Sequence, residues 1–247
     1  TSMSSYVTGL TVPDSPRAYV TGNVFGGGDA APVDGSTTVN VYKGEIVHKL
    51  VGGGNEAGVS VNSGINVYGG SLCTTTEDNK GIYGGCKATG TVGGNVVMKI
   101  MGGSIGAIGN VANIHGGGYG QPTSVGGNVT VNFGEDNDIQ NNYPMLYGDL
   151  YGGSALGNVN TNSSNTTTVT VYNGTIVGNV FGGGLGDNAA LGAGHSNVEA
   201  KVFGKVYVKI GKWILPVAPA TEPTVSGKAT LYNCSVYGCN NVKGSPQ

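Results

Sequence analysis

The densest group of side chains able to do acid–base work is Glu135-Asp136-Asn137-Asp138. Glycoside hydrolysis uses two carboxylates flanking a glycosidic bond, one protonated to donate and one ionised to attack or to activate water. Asp136 and Asp138 are therefore candidate ligand-binding residues. The reading stops short of catalysis. Neighbours in one loop do not fix a carboxylate separation, and the nearest cation, one repeat earlier, is Lys99. Acid, base and charge stabiliser must converge on one substrate, and the chain has three histidines and a single arginine, Arg17. No catalytic residue is assigned, and no hydrolase or lyase turnover is expected.

The second group is aromatic. Tyr42, Tyr68 and Tyr172 each follow an alternating apolar stretch, in a column with Met101, Asn132, Lys209 and Tyr232. They are candidate ligand-binding residues, as a flat platform for sugar rings; the competing reading has them stack on one another as structure. A further column, Phe25, Val51, Tyr83, His115, Tyr151, Phe181 and Tyr237, precedes the Gly-Gly motifs. His115 is read as a member of that ladder, and His48 and His195 as surface residues.

Other constellations carry less. Gly183-Gly184-Leu185-Gly186-Asp187 falls one residue short of the calcium-binding nonapeptide and is not in tandem. Asp29, Glu56 and Asp187 follow Gly-Gly-Gly corners or their near copies, but no metal site or cofactor is expected. The glycine corners lack the Gly-Lys-Ser/Thr ending and the helix of a phosphate loop. Cys73 and Cys86 bracket residues 74–81 and could staple that loop. Cys234 and Cys239, if extended, lie roughly 16 Å apart, too far for a disulfide.

The elements that must position these residues are repeated. Gly-Asn-Val-Phe-Gly-Gly-Gly occurs at Gly22–Gly28 and again at Gly178–Gly184. Looser copies centre on Val51, Tyr83, His115, Tyr151 and Tyr237. Before each lies an apolar–polar–apolar stretch, whose second apolar residues are Val41, Val67, Ile100, Val131, Val171, Val208 and Leu231, expected to form one buried row. Glycine follows three residues later in six copies, at Gly44, Gly70, Gly103, Gly134, Gly174 and Gly211. An apolar residue returns two positions further on, at Ile46, Leu72, Ile105, Ile176, Trp213 and Val236; Asp136 breaks the pattern in the fourth unit. Alternation with β-branched residues predicts half-buried strands. A recurrence of 20–50 residues built from short strands and glycine corners predicts a β-solenoid. An all-β sandwich is the structural alternative, but it does not require the same residue type at the same place in seven units.

Composition bounds the rest. Glycine, at 48 of 247 residues, has no strict triplet period, so collagen is excluded. Charged residues make up 11%, against roughly 25% in an ordinary domain. A net charge of −2 supplies no field for nucleic acid. No apolar run approaches the roughly 18 residues of a membrane span, so no membrane insertion is expected.

Units of Val-x-Val-Tyr-x-Gly-x-Ile followed by Gly-x-Val-Phe-Gly-Gly-Gly resemble the parallel β-helix segments of adhesin-like surface proteins from Bacteroidetes and other bacteria. The resemblance runs from about Tyr19 to Asn241. It implies an all-β, right-handed parallel β-helix of about seven coils over residues 1–247, with inserted loops at 134–147 and 212–227, the latter rich in proline. It also implies an exported bacterial protein, extracellular or at the cell surface. Both ends fall mid-pattern, so a segment of a longer chain is expected, whose further repeats would be partners beside a glycan or a host or cell-surface protein. The leading expectation is a non-catalytic structural or adhesive segment; the alternative is a carbohydrate-binding or carbohydrate-cleaving β-helix.

Overall fold

The computed structural model describes residues 18–135, 143–214, 224–227 and 229–242. They form a parallel β-solenoid whose coils contribute short strands to four parallel sheets, of seven, six, seven and three strands. Face I carries Thr37–Val41, Ser63–Val67, Val96–Ile100, Val129–Phe133, Thr166–Val171 and Lys205–Ile210. Face II carries Tyr19–Val20, Glu45–Ile46, Ser71–Leu72, Ser104–Ile105, Met145–Leu146, Gly174–Val177 and Ala229–Tyr232. Face III carries Val24–Phe25, Leu50–Val51, Gly81–Tyr83, Asn113–His115, Leu150–Tyr151, Val180–Phe181 and Val236–Tyr237. Face IV is the smallest, with Gly90–Val92, Thr123–Val125 and Asn158–Val159, extended by single bridges at Val33, Val59 and Val202.

Alternation explains the core. On face I the sequence Val-Val-Met-Lys-Ile of Val96–Ile100 buries every other residue. Inward rows such as Val24, Leu50, Ile82, Ile114, Leu150, Val180 and Val236 run along the axis. Most mid-stack members are fully buried. The bend from face I to face II needs left-handed backbone: Gly44, Gly70, Gly103 and Gly174 have φ of +113°, +104°, +89° and +92°, conformations costly for a residue with a Cβ.

Polar ladders fix the register. Asn62, Asn95 and Asn128 precede successive face I strands. Each Oδ1 accepts the backbone N–H one coil on, from Asn95, Asn128 and Thr166, at 2.8 Å each. A second ladder before face III runs Asn113, Asp149, Asn179 to the N–H groups of Asp149, Asn179 and Ser235, at 2.9, 2.7 and 3.0 Å.

Three expectations are corrected. Val41, Val67, Ile100 and Val171 share a row, but its other members are Phe133 and Ile210; Val131 and Val208 lie in the parallel row two residues away. Leu231 belongs to face II, beyond Ile176, and Val236 to face III. Trp213 lies outside the stack, in an antiparallel hairpin of Lys212–Ile214 with Thr224–Ser226. The slot left open at Asp136 is filled by Leu146, paired with Ile105 and Ile176. Periodicity of two cannot distinguish registers that differ by two residues, because both bury the same face.

Candidate functional site

The column of face III residues before the glycine corners is continuous: Phe25, Val51, Tyr83, His115, Tyr151, Phe181 and Tyr237 are register partners. Successive rings from Tyr83 onward stack with centroids 5.2, 4.6, 4.8 and 4.9 Å apart and planes within 8°. These distances follow the strand spacing. The ring faces are consumed by their neighbours, so the column stiffens the rod rather than receiving a ligand. Tyr83 Oη donates to the Asn79 carbonyl at 2.9 Å, and Tyr151 Oη donates to Asp149 Oδ2 at 2.9 Å. Burial raises both phenols far above the ordinary tyrosine range. His115 is 1% exposed, its Nδ1 has no partner, and burial lowers its pKa to about 3. It is a neutral member of the ladder.

Tyr42 and Tyr68 stack at 4.9 Å with planes 10° apart. Tyr172 does not join them. Met101 and Gly134 occupy the intervening coils, and Gly211 the coil beyond, because the column follows Val41, Val67, Ile100, Phe133, Val171 and Ile210. Asn132, Lys209 and Tyr232 are likewise displaced from that column. Asp136 and Asp138 lie outside the described residues.

The remaining titratable groups make local contacts. His48 Nδ1 lies 3.0 Å from Glu77 Oε2, tying down the 74–81 loop. His195 Nδ1 lies 2.8 Å from Asp187 Oδ1, so both histidines have carboxylate partners that their spacing did not reveal. Asp187 also accepts from the N–H groups of Ser196 and Asn188 at 2.7 and 2.8 Å. These bonds hold its pKa below the usual carboxylate value, and its oxygens serve the 187–198 loop. No group of three potential metal ligands occurs among the described residues. The four cysteines are free thiols, so Cys73 and Cys86 do not staple the loop; both are buried. Burial pushes the Cys73 thiol up to about 12.

What spacing missed is a groove on the outside of face II, about 460 Å³ in volume. Its floor is the outward row Met145, Thr175 and Thr230. One wall is the next outward row, Tyr147, Val177 and Tyr232. The other is a projecting turn, where Ala107 and Asn110 exchange two backbone hydrogen bonds at 2.9 Å each. Ile108 at the tip of that turn is 87% exposed, and Val111 is also exposed. Asn110 Nδ2 anchors the turn to the Thr74 carbonyl at 2.9 Å. The available signal was Ile108 and Val111, apolar residues outside any repeat position, together with Tyr147 at the end of the insertion.

Compared with protein-family models, curated proteins and solved structures, the chain matches none. No helix among the described residues is long and apolar enough to cross a membrane.

Proposed function

We propose that this chain is a structural and adhesive, non-catalytic segment of an exported bacterial surface protein, with the face II groove as its adhesive contact. One observation carries the reading: exposed apolar side chains gather in a groove on a rigid ladder. Exposed apolar patches of this kind mark interaction surfaces. The groove takes its shape from three hydrogen-bonded coils and one anchored turn, so little ordering is lost on binding. Its lining favours apolar side chains of a surface protein over sugar. The side-chain polar groups available are the hydroxyls of Thr175, Thr230, Tyr147 and Tyr232, too few for the many hydroxyls of a glycan.

A second reading, glycan binding, is favoured by Tyr42, which is 69% exposed and has one ring face uncovered by Tyr68. Beads carrying the protein, presented to epithelial cell layers and to purified mucin, separate the two. Retention on cells that falls at least tenfold in Ile108→Asp/Val111→Asp supports the groove. Retention on mucin that falls in Tyr42→Ala supports the glycan reading. No retention on either probe defeats both.

A further inference from the structure

The turn that walls the face II groove is itself an apolar knob. It leaves the stack at Gly106 and returns at Ala112, whose N–H donates to the Tyr147 carbonyl at 2.8 Å. Its shape is held by the two backbone bonds between Ala107 and Asn110 and by the Asn110 side chain on Thr74. Gly109 turns the tip with φ of +72° and leaves Ile108 alone at the apex. Ile108 is 87% exposed, the highest value among the large apolar residues described. Covering such a side chain is favourable, and within this fold nothing covers it.

Register puts this knob in line with the groove. Ile105 pairs with Leu146, Leu146 with Ile176, and Ile176 with Leu231. The residue after Ile105 therefore heads the outward row that continues as Tyr147, Val177 and Tyr232, and the knob stands in that row one coil before Tyr147. A two-fold axis over Met145, parallel to its strand, reverses the rod direction and keeps position along the strand. A second copy turned about this axis lays its face II against the first, with the rods antiparallel. Met145 and Tyr147 each meet their own copy. The coil of Ile105 meets the coil of Ile176, two coil spacings or about 10 Å along the rod. Ile108 of each copy then lies over Val177 of the other, inside the groove, and the two knobs sit about 10 Å apart.

Charge permits this pairing. The groove lining has no charged side chain. About the same axis Ser71 faces Thr230 and Ser104 faces Thr175, all members of one outward row. Like charges set against each other, which would bar self-pairing at a cost of several kcal/mol, are absent from these rows. The groove volume of about 460 Å³ lies in the range that takes a compact ligand, and an Ile-Gly tip is such a body. Knob and groove share one face, so the contact is isologous and closes at two copies.

We propose that the groove takes the Ile108 turn of a second copy of this chain, in an antiparallel two-fold pair. The inference rests on the groove being a contact surface and adds a partner to it. The five coils from Ser71 to Thr230 overlap in each copy. At the strand spacing and residue rise, that overlap covers about 300 Å² per copy. This is below the ~800 Å² per partner of a stable complex, so the pair is weak. Rods that project from two opposed surfaces meet antiparallel, and there many weak contacts act together.

The test is sedimentation velocity of the full chain in reducing buffer, over a hundredfold concentration range reaching about 1 mM, where contacts of this size are populated. Wild type is expected to approach twice the monomer mass at the upper end. Ile108→Asp and Val177→Lys change exposed side chains, so each keeps the fold, and each alone is expected to stay monomeric. An equimolar mixture of the two is expected to pair again. In the mixed pair the new carboxylate meets the new ammonium, and the reciprocal contact remains Ile108 on Val177. The inference is overturned if wild type stays monomeric throughout, if either variant associates as wild type does, or if the mixture fails to pair. Monomeric wild type whose retention on epithelial cells still falls in Ile108→Asp/Val111→Asp overturns the second copy as partner and leaves the adhesive groove standing. Monomeric wild type with retention unchanged in that variant defeats both.

Discussion

His115 makes the stability of this rod depend on acid in a calculable way. Its ring lies between Tyr83 and Tyr151, and burial lowers its pKa from 6.5 to about 3. The fold therefore favours the neutral imidazole. Its contribution to stability is complete above the unfolded pKa of 6.5 and is lost as pH falls from there toward 3, because the unfolded chain takes up a proton that the folded chain refuses. At about 1.4 kcal/mol per pH unit, this single group removes about 2 kcal/mol by pH 5 and about 4–5 kcal/mol by pH 3. Phe181 shows that a phenyl ring fits the ladder, so His115→Phe keeps the stacking and abolishes the proton. It also removes the unpartnered Nδ1, which is worth about 1–3 kcal/mol when buried. Urea unfolding of both proteins at pH 7.5, 6 and 5 is the assay. The stability difference in favour of His115→Phe should widen by about 2 kcal/mol between pH 7.5 and pH 5. Other titrating groups contribute equally to both proteins and cancel. Two curves that fall in parallel would refute the buried, neutral histidine.

Further outcomes follow from particular contacts. Gly152→Val places side-chain atoms against Val169 Cγ2, 2.8 Å from the position of a Cβ, and is expected to cost about 3 kcal/mol or more, read as a lowered urea midpoint. Asn160 is fully buried with φ of +53°; its Nδ2 donates to the Gly127 and Thr166 carbonyls and its Oδ1 accepts from Thr167. Asn160→Ala should therefore cost about 3 kcal/mol or more, whereas Ile108→Ala in the exposed turn should stay within about 0.5 kcal/mol. Asp187→Asn is expected to speed hydrogen exchange at Ser196 and proteolysis within 187–198 while leaving the melting temperature of the rod unchanged. A thiol reagent should label Cys239 at once in the native protein and Cys73 and Cys86 only on unfolding; rapid labelling of Cys73 would contradict its burial.

Much of the scaffold is legible in the sequence, because it rests on local chemistry repeated along the axis. Alternation of apolar residues assigned the strands, glycine marked the bends at Gly44, Gly70, Gly103 and Gly174, and the residue before each Gly-Gly named the complete face III column, His115 included. What alternation could not do was choose between registers two residues apart. Val131 and Phe133 are equally apolar and face the same way; Phe133 is the partner of Ile100 in the register that the asparagine ladder through Asn128 accompanies. The same ambiguity placed Leu231 on the wrong face, since a strand of either sheet shows the same pattern. The groove depends on that register: Tyr147, Val177 and Tyr232 become neighbours only when three coils are stacked correctly. The carboxylate partners of His48 and His195 sit in loops without periodicity, so no repeat could reveal them. Sequence determined which residues point inward and where the chain turns. The tertiary structure decided which coil meets which residue, because register is set by hydrogen bonds between coils rather than by the pattern within one.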